Sequence, residues 1–199
     1  GAITLVAPGT TTISAKFAGG EVSGTTYAAK TVTYALTVLK APATPTSTVY
    51  VKVTSTAGIT DGEYLIVYED ETAPVAFDGS LAPVKLDVAS NNIEVSIASN
   101  TIAGNTDIDA ATFTINTTAG TIQTKDGYYI GQTSNANGLA TSTTPEYTNT
   151  ISIENDGSAT IISSGGAYLR YNSANDNLRF RYYKSSSYAS QKAITLYKK

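Results

Sequence analysis

The residues best suited to chemistry lie in one short stretch. Residues 165–183, "GGAYLRYNSANDNLRFRYY", interleave tyrosine and arginine at strand spacing. Alternation puts Ala167, Leu169, Tyr171, Leu178, Phe180 and Tyr182 on one side, which reads as the core side. The other side carries Tyr168, Arg170, Arg179, Arg181 and Tyr183. Tyrosine rings are flat amphipathic platforms on which sugars stack, and guanidinium groups donate in a planar fork. That face is a candidate site for glycans or anions. The competing reading is cation–π packing of arginine on tyrosine across a sheet face.

Other clusters are weaker. "YEDET" (68–72) groups three carboxylates, the residue type needed for Ca²⁺ binding or glycoside hydrolysis. It lacks ligand-loop spacing and a second acid at a recognisable position, so it reads as an acidic turn. "NTDID" (105–109) and "ENDG" (154–157) offer oxygens without the twelve-residue loop pattern. The glycines of "SSGGA" precede a strand rather than a helix, which excludes a phosphate loop. No catalytic residue, metal ligand or cofactor is assigned.

Composition narrows the classes further. The 199 residues include no Cys, His, Met or Trp. Disulfides, thiolate metal sites and histidine-based triads are excluded. A net charge of −3 argues against nucleic acid as a partner. No apolar run approaches the roughly 20 residues of a membrane helix. The 32 Thr and 14 Tyr favour strands. A Cys-free, Thr- and Tyr-rich β protein points to an extracellular location. Opening on Gly rather than Met, the chain reads as mature or trimmed.

Period-2 patterning runs throughout, so the expected fold class is all-β. Residues 1–39 predict strands at 3–7, 11–17 and 31–39. Residues 40–48, "KAPATPTST", read as a Pro/Thr spacer. Residues 49–199 predict strands at 49–54, 64–69, 84–88, 93–97, 112–116, 121–124, 128–130, 150–153, 159–163, 167–171, 178–183 and 193–197. Asp-Gly pairs in the gaps mark hairpin turns. "DGYYIGQTSNANGL" (126–139) matches "GGAYLRYNSANDNL" (165–178) at a 39-residue offset, and "DGEYLIVYED" (61–70) is a candidate third copy. The expected architecture is a small N-terminal β unit joined to a C-terminal β-barrel, with a trefoil-like alternative.

Two resemblances bear on the parts. "GTTTISAKFAGGEVSGTTYAAKTVTYALTVLK" resembles the closing strands of a bacterial immunoglobulin-like domain of the invasin/intimin type. Gly9, Thr12, Ile13, Phe17, Ala18, Gly19, Tyr27, Tyr34 and 36–38 carry it. Residues 49–199 resemble a C-terminal β domain of Bacteroidota surface proteins, through "DGEYLIVYED", "AYLRYNSANDNLRFRYYKSSS" and "KAITLYKK". The resemblance implies a partial immunoglobulin-like β-sandwich on an exported protein.

Such a sandwich needs about seven strands, and residues 1–39 offer three. Ile13, Phe17, Val32, Tyr34, Leu36 and Val38 therefore require cover. Either the chain is trimmed or proteolysed and the stub packs on the barrel, or another copy of the chain or another surface protein supplies strands by β-augmentation, which makes these candidate assembly residues. A head-to-tail contact of that kind builds filaments. Charge is also uneven: residues 61–71 carry five acids and no base, whereas 166–199 carry seven Lys/Arg against Asp176. The patches either dock between copies or face each other within one unit. The expected function is non-enzymatic surface adhesion or assembly. A carbohydrate-binding module is the alternative, and a carboxylate-dependent glycosidase a distant third.

Overall fold

The computed structural model describes residues 7–174 and 176–199. It is an all-β protein whose sheets do not close. The chain divides into two units, one up to Pro42 and one spanning Ala43–Lys199.

The first unit holds β1 (Gly9–Phe17), β2 (Gly20–Val22), β3 (Thr25–Tyr27) and β4 (Lys30–Val38). β1 and β4 form an antiparallel ribbon in unbroken register from Gly9↔Val38 to Phe17↔Lys30. β2 and β3 form a small hairpin whose turn residues, Ser23 and Gly24, both take positive φ (51° and 79°). Such a turn matches the twist of a tight hairpin, and glycine adopts it without steric cost. The expected strand at 3–7 falls almost wholly outside the described residues.

The second unit opens with β5 (Pro45–Lys52). Residues 45–48, expected as spacer, are therefore strand. Proline is tolerated as the first residue of a strand, and the threonines that follow hydrogen-bond into the unit, Thr48 to Asp109 at 3.2 Å. There follow β6 (Gly62–Tyr68), β7 (Val75–Phe77), β8 (Asn92–Glu94), β9 (Ile97–Ala98) and β10 (Thr101–Asn105). A single helical turn, α1 (Thr106–Ala110), is capped by the Asn105 side chain, which accepts from the Asp107 and Ile108 amides. Then come β11 (Phe113–Asn116), β12 (Thr121–Thr124), β13 (Tyr129–Gly131), β14 (Ala140–Ser142), β15 (Asn149–Ile153), β16 (Ala159–Ser163), β17 (Tyr168–Asn172), β18 (Arg179–Tyr183) and β19 (Thr195–Lys198).

One sheet runs β14-β13-β12-β11-β6-β19-β5-β10-β9, with β7 and β8 branching from β6. A second runs β15-β16-β17-β18. The strand expected at 84–88 is absent: Pro83 starts a 3₁₀ turn there (Pro83–Lys85), because proline fixes φ and donates no ladder bond.

The internal repetition is structural. At the 39-residue offset β12, β13 and β14 correspond in sequence to β16, β17 and β18. Tyr64, Tyr129 and Tyr168 each precede the start of a further strand (β7, β14, β18) by eleven residues. Gly165, in the turn before β17, has a packing reason. A Cβ there would lie 2.3 Å from the Ser134 amide nitrogen, so the loop after β13 rests directly on this backbone.

Two apolar clusters fill the unit. The larger joins Phe77, Phe113, Leu169, Phe180, Tyr182, Leu196 and their neighbours; the smaller joins Tyr50, Leu65, Val67, Ile102 and Tyr197. β6 serves both, since Tyr64 and Ile66 face one cluster while Leu65 and Val67 face the other. That explains its nearly continuous apolar run, the mark of a strand buried on both faces.

Candidate functional site

Cross-strand partners share a face, and the β1–β4 register puts all six assembly candidates on one side of the ribbon. Ile13 lies opposite Tyr34, Ala15 opposite Val32, Thr11 opposite Leu36 and Gly9 opposite Val38, with Phe17 at the end beside Lys30. The face is not covered. Tyr34 is 68% exposed, Phe17 50% and Val32 41%, while Ile13, Leu36 and Val38 are half-buried. Neither strand has a further partner among the described residues, so both outer edges present unpaired backbone groups.

One edge of the second unit is treated differently. At the free side of β18, the Asn91 side chain exchanges hydrogen bonds with the Phe180 backbone at 2.8 Å in each direction. Gly138 bridges Tyr182 at 3.0 and 3.2 Å, and the Ser90 amide donates to the Leu178 carbonyl at 2.6 Å. Covered edges do not template pairing with another chain; long exposed ones do.

On β17 and β18 the register pairs Tyr168 with Tyr183, Arg170 with Arg181 and Asn172 with Arg179. The five Tyr/Arg candidates therefore do share one face, but its groups are engaged within the unit. The Tyr168 ring stacks on Tyr188 at 3.8 Å, and the Arg170 guanidinium sits 5.2 Å from the Tyr188 ring centre. Arg170 is 9% exposed, and burial lowers its pKa. Arg181 forms an ion pair with Asp87 (Nε to Oδ1, 2.8 Å), and Arg179 donates to the Asn177 side chain at 2.6 Å. Tyr183 is 5% exposed, and burial pushes its hydroxyl up. On the opposite side Ala167, Leu169, Tyr171, Phe180 and Tyr182 enter the larger core as expected. Leu178 does not: it precedes β18 and is 40% exposed.

The "YEDET" carboxylates have separate duties. Burial opposes ionisation of Glu69, yet hydrogen bonds from Lys52 (2.8 Å) and Tyr197 (2.7 Å) outweigh it and hold the carboxyl below its usual range. Glu69 thereby ties β5 and β19 to the end of β6. Asp70 closes its own turn: the Thr72 amide, the Thr72 hydroxyl and the Ala73 amide pull its pKa down to about 2. Glu71 is exposed and makes no hydrogen bond or ion pair among the described residues. Asp109 is likewise used internally, accepting from the Tyr50 hydroxyl at 2.8 Å. Among the described residues no group of three or more acidic side chains is arranged to hold a metal ion.

Part of the acidic and basic imbalance is neutralised inside the second unit, where Lys199 pairs with Glu63. Asp87, Asn91 and Tyr188 escaped the sequence reading. Each acts on a strand distant in the chain or through a ring contact that no local pattern announces.

No protein-family model, curated protein or solved structure matches this chain. Among the described residues no helix is long and apolar enough to cross a membrane.

Proposed function

We propose that this chain is a non-enzymatic adhesion or assembly module of a bacterial surface, joined to other copies of itself through the β1–β4 ribbon. The observation that carries the reading is the ribbon's uncovered apolar face, flanked by two unpaired edges. A lone two-stranded ribbon is marginal in water, whereas a third strand or a packed face makes it stable. Covering an exposed valine or aromatic ring is favourable by about 1.5–3 kcal/mol per side chain. The composition, free of Cys and rich in Thr and Tyr, supports the extracellular setting. The immunoglobulin-like pattern of residues 9–40 supports strand complementation, since it is the pattern of a sandwich lacking its other strands.

Light scattering on the full chain at micromolar concentration tests the reading. Wild type is expected to self-associate. The double change Val32→Lys, Tyr34→Lys should weaken association by roughly 100-fold or more, from two lost apolar contacts, and leave the melting of the second unit unchanged. A monomeric wild type, or equal association by both proteins, rejects the proposal.

A further inference from the structure

We infer that the edge of β15 holds a binding notch for one extended peptide residue with a small apolar side chain. The site lies in the second unit and does not depend on the assembly reading. β15 is the outer strand of the four-stranded sheet. At its two ends the Ser164 amide donates to the Thr148 carbonyl and the Glu154 amide to the Ser158 carbonyl, both at 2.8 Å. Bonded and non-bonded pairs alternate along an antiparallel ladder, so the even-numbered residues of β15 bond to β16. The backbone groups of Asn149, Ile151 and Ile153 therefore point outward, away from their partners on β16.

Two of these three residues are clamped. The Asn149 amide donates to the Gly120 carbonyl at 2.6 Å. The Ile153 amide donates to the Thr56 hydroxyl at 2.9 Å, and that hydroxyl donates to the Ile153 carbonyl at 3.4 Å. Between the clamps, the outward N–H and C=O of Ile151 have no hydrogen-bond partner among the described residues. A cavity of about 190 Å³ lies there, lined by Thr56, Ile59, Thr117, Gly120, Asn149 and Ile151.

The polar side chains of the lining are already engaged. Thr56 serves Ile153, the Thr117 hydroxyl donates to Asp61 at 2.6 Å, and the Asn149 side chain accepts from the Tyr182 hydroxyl at 2.7 Å. What the notch offers a ligand is one N–H and one C=O on the same side of one residue. A single trans amide cannot meet both, because its own N–H and C=O point in opposite directions. One extended residue can, as each residue of a bonded antiparallel pair does with the residue opposite.

The clamps also set the ligand's length. A longer strand would next need the outward groups of Asn149 and Ile153, which Gly120 and Thr56 occupy. Cross-strand partners share a face, so the ligand's side chain lies on the side of the Ile151 side chain, which packs with Ile59 against the larger core. That wall selects an apolar side chain, and the volume of the cavity keeps it small. The mode is β-augmentation shortened to a single residue.

A titration with N-acetylvaline N-methylamide, followed through the backbone amide resonances, tests the site. The full chain carries Val32→Lys, Tyr34→Lys, which keeps self-association from obscuring binding and leaves the second unit intact. The Ile151 amide should shift saturably. Methylating the valine nitrogen of the probe removes its donor and should weaken binding roughly tenfold. Glycine in place of valine should weaken it by a similar factor or more. Only the probe changes between these arms, so misfolding cannot produce the differences. No saturable shift at Ile151 up to the solubility limit of the probe, or equal binding by the N-methylated probe, overturns the inference and leaves the notch to water. The assembly reading is decided separately, by light scattering.

Discussion

Asn91→Ala is expected to destabilise the second unit by about 3 kcal/mol or more. Asn91 is fully buried. Its amide donates to the Leu86 carbonyl at 2.6 Å and the Phe180 carbonyl at 2.8 Å, and its carbonyl accepts from the Phe180 amide at 2.8 Å. One side chain thus replaces a strand along the edge of β18. Truncation leaves the Phe180 N–H and two carbonyls buried without partners, and each such group costs about 1–3 kcal/mol. Water entering the vacated volume recovers part of this. For a unit of this size the melting temperature should fall by roughly 6–12 °C. Asn91→Asp should not rescue, because it sets a carboxylate against two carbonyl oxygens. Denaturant unfolding checks both; a loss below about 1 kcal/mol would mean that the edge of β18 is sustained by other contacts.

Phe77→Ala should cost about 3–5 kcal/mol, as truncation of a large buried aromatic residue does. The Phe77 ring is fully buried between Phe113, at 4.8 Å, and Phe180, stacked at 5.2 Å. Phe180 in turn contacts Tyr171 at 4.8 Å, and Tyr171 stacks on Tyr68 at 4.6 Å. The chain of rings joins β7 and β11 of one sheet to β17 and β18 of the other, so a void there removes contacts on both sides of the core. Phe77→Leu keeps much of the apolar volume and should lose clearly less. Equilibrium unfolding in urea should give a lower midpoint with an unchanged slope. A Leu variant as unstable as the Ala variant would contradict this, because apolar volume alone would then recover nothing at this site. Because Asn91 and Phe77 both bear on Phe180, the double variant should depart from additivity.

Much of the strand pattern was legible because alternation and turn chemistry are local. β12 and β16 fall on the expected residues 121–124 and 159–163. The 39-residue repetition marks strands at corresponding sequence positions, β12, β13 and β14 against β16, β17 and β18. The misreadings have equally local causes. Three-residue strands such as β7 and β14 are too short to show a period. Pro83 turned an apolar run into a 3₁₀ turn, and the Pro/Thr composition of residues 45–48 masked the start of β5.

The two candidate surfaces differ for the same reason. The sharing of one face by Tyr168, Arg170, Arg179, Arg181 and Tyr183 followed from alternation alone. Its coverage by Asp87 and Tyr188 depends on tertiary contacts, one of them between residues far apart in the chain. On the ribbon, too, alternation gave the shared face; residues 9–38 contain too few strands to cover Ile13, Val32 and Tyr34, and the structure leaves Val32 and Tyr34 exposed.

Amide hydrogen exchange, followed residue by residue as the chain is diluted, bears most directly on whether the ribbon depends on a neighbour. The amides of β1 and β4 should exchange slowly at high concentration and lose that protection on dilution, while those of Tyr64, Leu65, Ile66 and Val67 stay slow throughout. Protection of β1 and β4 that matches these core residues at every dilution would contradict the account, because the ribbon would then be stable without a partner.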